Sequence, residues 1–152
     1  MGFFTKKTVM ITGAGRAVLS DGKCGSIGYG IATAFAKEGA NLVITGRNVQ
    51  KLNDAKEELE RLYGISVLPV QADVHAGADN AAVVKQVVEQ AIAAFGAIHV
   101  LINNAQASAS GVTLADHTTE QFDLAMYSGL YATFHYMHTV HSFRTVLLQT
   151  QS

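Results

Sequence analysis

Apolar positions along this chain alternate between short continuous runs and helical stripes. Thr8 to Gly13 (TVMITG) is a run that ends at a glycine, as expected of a strand buried on both faces of a parallel sheet. Past a glycine-rich segment, Ile31, Ala34, Phe35 and Ala40 recur at helical spacing, and Lys37, Glu38 and Gly39 close that helix. Asn41 to Thr45 is a second apolar run, followed by Gly46, Arg47 and Asn48. From Val49 to Tyr63, Leu52, Ala55, Leu59 and Leu62 share one helical face, with Gly64 as the stop. Ile65 to Gln71 reads as a strand, and Pro69 assigns it to an edge of the sheet. Asp79 to Phe95 puts Val84, Val87, Val88, Ala91, Ile92 and Phe95 on one helical face, and Ile98 to Ile102 is a fourth buried strand. Thr118 to Gln121 fits a capping box, and Phe122, Met126, Leu130, Phe134 and Met137 predict a long amphipathic helix. Thr145 to Gln149 fits a short strand.

This alternation predicts an α/β fold, a Rossmann-type doubly wound parallel sheet truncated after about four or five strands. Residues 1–152 are expected to form a single, partial dinucleotide-binding domain. Its strand order would be 3-2-1-4, leaving the fourth strand as an open hydrophobic edge.

The glycine-rich segment carries the chemistry. A pyrophosphate needs backbone N–H donors unobstructed by a Cβ, and it favours the positive end of a helix. Gly25, Ser26, Ile27, Gly28 and Gly30 stand where the first helix must begin. At the end of the second strand, an acidic residue would accept hydrogen bonds from ribose hydroxyls, whereas an arginine favours a 2′-phosphate. Arg47 therefore points to NADP(H) rather than NAD(H); its alternative is a solvated arginine opening the next helix.

These residues resemble the short-chain dehydrogenase/reductase family. Thr12-Gly13 matches the start of its first motif and Ile27-Gly28-Tyr29-Gly30-Ile31-Ala32 its end. Ser26 replaces the middle glycine, as in the enoyl-acyl carrier protein reductase branch, and the Ala14–Gly25 loop is about nine residues longer than usual. Ala72-Asp73-Val74 resembles the adenine-contact motif, although an aspartate after a strand also serves as a turn or cap residue. Asn103-Asn104-Ala105-Gln106 matches the family's Asn-Asn-Ala-Gly except at Gln106, which puts a longer side chain beside the nicotinamide pocket. The resemblance implies a nicotinamide dinucleotide as partner. Gly13, Ser26, Ile27 and Gly28 would hold the pyrophosphate, Arg47 the 2′-phosphate, Asp73 and Val74 the adenine, and Asn104 and Ala105 the ribose. It further implies a helix packed on its twin, hence a homo-oligomer through residues 118–141 or the open sheet edge.

The family's chemistry rests on a serine and a Tyr-x-x-x-Lys pair that tunes the tyrosine as acid/base. No Tyr-x-x-x-Lys occurs here, the last lysine is Lys85, and Gly129 stands at the position of a further family asparagine. No catalytic residue is assigned. The expectation is the NAD(P)-binding portion of an oxidoreductase that transfers hydride between nicotinamide and a carbonyl or alcohol, inactive by itself. A non-catalytic nucleotide-binding or protein-interaction module is the alternative.

Composition narrows the setting. A net charge of -1 gives no reason to expect nucleic acid or an anionic membrane as partner. Cys24 is alone, so no intramolecular disulfide forms, and a reducing, cytoplasmic location is expected. Charges interrupt every apolar stretch before membrane-spanning length, and Met1 to Lys7 does not resemble a signal peptide. His135, His138 and His141 recur every three residues, which spreads them around a helix, so no metal site is assigned. Tyr127 and Tyr131 have no lysine in register to lower their pKa and are expected to pack.

Overall fold

The computed structural model describes residues 2–19, 22, 25–74 and 77–149. Strands and helices follow one another as β1 (Thr8–Thr12), α1 (Ile27–Lys37), β2 (Asn41–Gly46), α2 (Val49–Tyr63), β3 (Val67–Gln71), α3 (Asn80–Phe95) and β4 (Val100–Ile102). A helical rod then closes the described chain: α4 (Thr119–Ala125), a π-helical segment (Met126–Tyr131) and α5 (Ala132–Gln149). The strands are parallel in the order β3-β2-β1-β4, with Met10 opposite Val43 and Leu101. The predicted class and strand order are the observed ones.

Alternation along the strands explains the layers. Val9, Ile11, Leu42 and Ile44 face α1 and α2, whereas Met10, Val43 and Val70 face α3 and α5. Both faces are covered, so the strands read as continuous apolar runs rather than alternating ones. Asn48 caps α2 by accepting from the Lys51 amide at 2.9 Å, and the Thr118–Gln121 capping box forms as expected. β3 is the outer strand, where Pro69 costs no ladder bond.

Several boundaries and faces differ from the sequence expectation. β4 starts at Val100 rather than Ile98, because the Thr8 amide donates to His99 Nδ1 (3.0 Å) instead of to a backbone carbonyl. In α1 the core stripe is Tyr29, Ala32 and Ala36, and Ala34 faces solvent; the small residues bring the helix close to the sheet. Thr145 to Gln149 continues α5 rather than forming a strand, since neither glycine nor proline interrupts the helix before Gln149. The long amphipathic helix is present, but its predicted stripe faces outward. Phe122, Leu130, Phe134 and Met137 are each more than half exposed, while Ser128, Ala132 and Tyr136 are buried on the opposite side, Tyr136 in the cluster with Met10 and Val43 of the sheet.

Candidate functional site

The site begins where β1 and β4 end. Thr12 is buried, and its Oγ1 accepts from the amides of Asn104 (3.0 Å) and Ala105 (2.9 Å). Asn104 Nδ2 in return donates to the carbonyls of Thr12 (3.0 Å) and Gly13 (3.2 Å). These four bonds lace together the carboxyl ends of two neighbouring strands. Gly13 turns out of β1 with φ +69°, a conformation that favours glycine. Gly28 then packs against this junction so closely that a Cβ there would lie 2.1 Å from the Gly13 carbonyl oxygen and 2.6 Å from Asn104 Nδ2. The N-terminus of α1 is thereby seated on the end of β1. Ser26 caps it, its Oγ accepting from the Tyr29 amide at 3.4 Å. The first amides of such a helix have no intrahelical acceptor and carry a partial positive charge.

Beside the junction lies a crevice of about 220 Å³. Thr45, Gly46 and Arg47 form one rim, Ala72 and Val74 the side wall, and Asn104 to Ala107 the opposite rim, with Gly13 between. Of the residues expected from the sequence, Gly13, Arg47, Val74, Asn104 and Ala105 therefore line the same crevice. Gly28 lies under it, Ser26 forms the helix cap, Ile27 is 79% exposed at the helix start, and Asp73 is half-buried next to Val74 but off the lining. Thr12 enters the sequence reading only as the first residue of the Thr12-Gly13 motif, and Thr45 only as the end of the second run; neither has a site role there. Their signal was a threonine closing each apolar run, where a hydroxyl has no reason to be unless it bonds or faces a cavity.

The side wall at Val74 and the rim after β4 are braced by the π-helical segment. Asn80 is buried and donates through Nδ2 to the Val74 carbonyl (2.5 Å) and the Tyr127 carbonyl (3.3 Å). On the other rim, Ser128 Oγ accepts from the Ala107 amide at 2.9 Å and sits 2.8 Å from the Leu124 carbonyl, to which it donates. A π bulge breaks the regular helical ladder, and such bulges frequently occur at functional sites.

The long loop leads away from the crevice. The Ala14 amide donates to the Thr45 carbonyl (3.0 Å), and the Arg16 amide to the Lys51 carbonyl (2.8 Å). The Arg16 guanidinium grips Glu58 with Nε at 2.7 Å and Nη2 at 3.3 Å, and the Tyr29 hydroxyl donates to the same carboxylate. Arg16 first, and Tyr29 second, hold the Glu58 carboxyl below its usual range. Burial, reinforced by Glu58, raises the Tyr29 phenol. The Gly25 amide closes the loop on the Ala17 carbonyl at 2.9 Å. Cys24, the basis of the compartment expectation, lies outside the described residues.

Below the β2 rim, Tyr136 reaches the core from α5. Its hydroxyl and that of neighbouring Thr45 are both buried without a hydrogen-bond partner among the described residues. Burial pushes the Tyr136 phenol up to about 12, partly offset by the Thr45 hydroxyl nearby. Among the described residues, no three His, Cys, Asp or Glu side chains gather as a metal site, and no helix is long and apolar enough to cross a membrane.

The family model described as short chain dehydrogenase matches residues 7–145. A 12alpha-hydroxysteroid dehydrogenase of a Clostridium species is 61% identical over 137 residues, which is 90% of this chain and 50% of that protein. The human hydroxysteroid dehydrogenase-like protein 2 is 37% identical over 126 residues, 78% of this chain and 27% of its own length. Among solved structures, an L-sorbose reductase from Gluconobacter frateurii, complexed with NADPH and L-sorbose, superimposes with a TM-score of 0.79 at 29% identity over 94% of this chain and 49% of that one. The chain thus spans half or less of the length of these relatives. Matched over most of its own length, with the laced β1–β4 ends and the glycine-seated helix in place, it belongs to the short-chain dehydrogenase family.

Proposed function

We propose that this chain binds NADP(H) and forms the cofactor half of an oxidoreductase that moves hydride between nicotinamide and a carbonyl or alcohol. The observation that carries the reading is the crevice itself. It opens at the carboxyl ends of parallel strands where their order reverses, the position at which doubly wound sheets take dinucleotides. Gly28 has no room for a Cβ against Gly13, so the first turn of α1 carries no side chain at that position, which suits the close approach of a pyrophosphate.

Gly13, Ser26, Ile27 and Gly28 would hold the pyrophosphate through backbone donors. Val74 and Asp73 would flank and hydrogen-bond the adenine, and Asn104 and Ala105 leave room for a ribose. Arg47 on the β2 rim, with no carboxylate at that strand end, supports a 2′-phosphate and hence NADP(H) over NAD(H). The bound nucleotide supplies the hydride; the chain's own residues bind and orient it.

Similarity to two relatives, the Clostridium 12alpha-hydroxysteroid dehydrogenase and the human hydroxysteroid dehydrogenase-like protein 2, supports a steroid alcohol as substrate class of a complete enzyme. These 152 residues contain no Tyr-x-x-x-Lys, so nucleotide binding without turnover is proposed for this chain alone, in a reducing, cytoplasmic setting. The exposed stripe of Phe122, Leu130 and Phe134 supports self-association.

Calorimetric titration with NADPH and NADH tests the cofactor reading. Micromolar binding with NADPH preferred is expected, and Arg47→Ala should weaken NADPH about tenfold or more while leaving NADH unchanged. Equal loss for both refutes the role of Arg47, and measurable ketone or alcohol turnover refutes the absence of chemistry. A stable oligomer with no nucleotide affinity would favour the interaction-module reading.

A further inference from the structure

Tyr127 and Ser128, consecutive in the π-helical segment, reach the crevice lining in two directions. Ser128 Oγ accepts from the Ala107 amide at 2.9 Å and lies 3.0 Å from the Ala107 carbonyl. The Tyr127 carbonyl accepts from the Ala132 amide, five residues on, as a π turn requires, and its second lone pair takes Asn80 Nδ2 at 3.3 Å. The same nitrogen donates to the Val74 carbonyl at 2.5 Å. Val74 and Ala107 both line the crevice, so two of its sides are joined by hydrogen bonds that run through two consecutive residues.

The sheet supplies no such connection. Val74 follows β3 and Ala107 follows β4, the two outermost strands, which are linked within the sheet only through β2 and β1. Asn80, at the start of α3, is 2% exposed, and its Oδ1 has no hydrogen-bond partner among the described residues. A buried, unpaired carbonyl oxygen costs stability. What the carboxamide supplies in exchange is one nitrogen with two N–H groups, one for each carbonyl. On the NADP(H) reading given above, we propose that Asn80 is a positioning residue for the nucleotide: it ties the Val74 wall to the Ala107 rim through Tyr127 and Ser128. The crevice width is then set before the nucleotide arrives, and the two sides move as one unit.

Hydrogen exchange followed by NMR at the Ala107 amide reads this tie without a ligand. In Asn80→Ala, and in Asn80→Asp, which keeps the shape but has at most one donor, that amide should exchange about tenfold faster than in the parent. The Ala14 amide, bonded to the Thr45 carbonyl at 3.0 Å, is the internal reference; its unchanged rate certifies the fold of each variant. NADPH affinity should fall about tenfold in both variants. Ser128→Ala should lose as much, and the Asn80→Ala/Ser128→Ala double variant no more than either single one, because a single tie is broken once. Additive losses, equal acceleration at Ala107 and Ala14, or an Asn80→Asp chain that behaves as the parent and so reduces residue 80 to space filling, each overturn the proposal. Failure of the unsubstituted chain to bind NADPH overturns the NADP(H) reading, while the exchange series still decides whether Asn80 ties the two sides.

Discussion

Replacing Gly28 with alanine sets two effects of opposite sign against each other. In an unobstructed helix the change gains about 0.5–1 kcal/mol, because glycine loses more backbone entropy on folding. Here the new methyl would lie 2.1 Å from the Gly13 carbonyl oxygen and 2.6 Å from Asn104 Nδ2. Either α1 lifts from the sheet or Asn104 is pushed away. Overpacking of this kind costs about 1–3 kcal/mol. Loss of the two Asn104 side-chain bonds adds about 0.5–1.5 kcal/mol each. The clash wins, with a net destabilisation of about 3 kcal/mol after the helix gain is subtracted. At a urea slope of about 2 kcal/mol/M the unfolding midpoint should fall by about 1.5 M. Gly46→Ala is the control, since its methyl would sit 3.5 Å from Leu52, and should stay within about 0.5 kcal/mol of the parent. Protein concentration must be held constant across the series, because self-association would add to apparent stability. A Gly28→Ala midpoint equal to or above the parent's would refute the close seating of α1 on β1.

Two further outcomes follow from the core and the surface. Tyr136 titrates near 12 in the fold against about 10 when unfolded, so its contribution is fully present below pH 10 and disappears as pH rises through 12. Tyr136→Phe should therefore flatten the alkaline fall in the unfolding free energy read from urea titrations by about 2.7 kcal/mol in all, and identical slopes between pH 10 and 12 would contradict the burial argument. Phe134 is 54% exposed on the outward stripe; on the proposed self-association, light scattering should give an oligomer for the parent and a monomer for Phe134→Glu, and an unchanged mass would separate that stripe from self-association.

The sheet was legible because strands buried on both faces leave uninterrupted apolar runs, and because glycines and asparagines punctuate them. The junction was legible in part. Gly13, Gly28 and Asn104 stand out as residue types, but the bonds from Thr12 Oγ1 to the Asn104 and Ala105 amides join positions far apart in sequence, which periodicity does not report. The closing rod misled for a different reason. Phe122, Met126, Leu130 and Phe134 recur every four residues, and so do Ser128, Ala132, Tyr136 and Val140, half a turn away. Both faces have apolar members, so spacing gives a helix without saying which face meets the sheet. The π bulge had no sequence signal beyond Gly129, and its contacts to Asn80 and Ala107 are tertiary.

The long loop has a consequence for engineering. Its neck is shut by the bond between the Gly25 amide and the Ala17 carbonyl, while Arg16 is anchored to α2 and Gly28 meets Gly13 directly. The two ends of the detour are therefore positioned by contacts outside it. Lengthening a closed loop costs little, about 0.6 kcal/mol per doubling, compared with the several kcal/mol invested at its base. The segment between Ala17 and Gly25 is thus a port: an epitope, a fluorophore site or a tether can be spliced in there while the crevice at Gly13 and Asn104 keeps its shape.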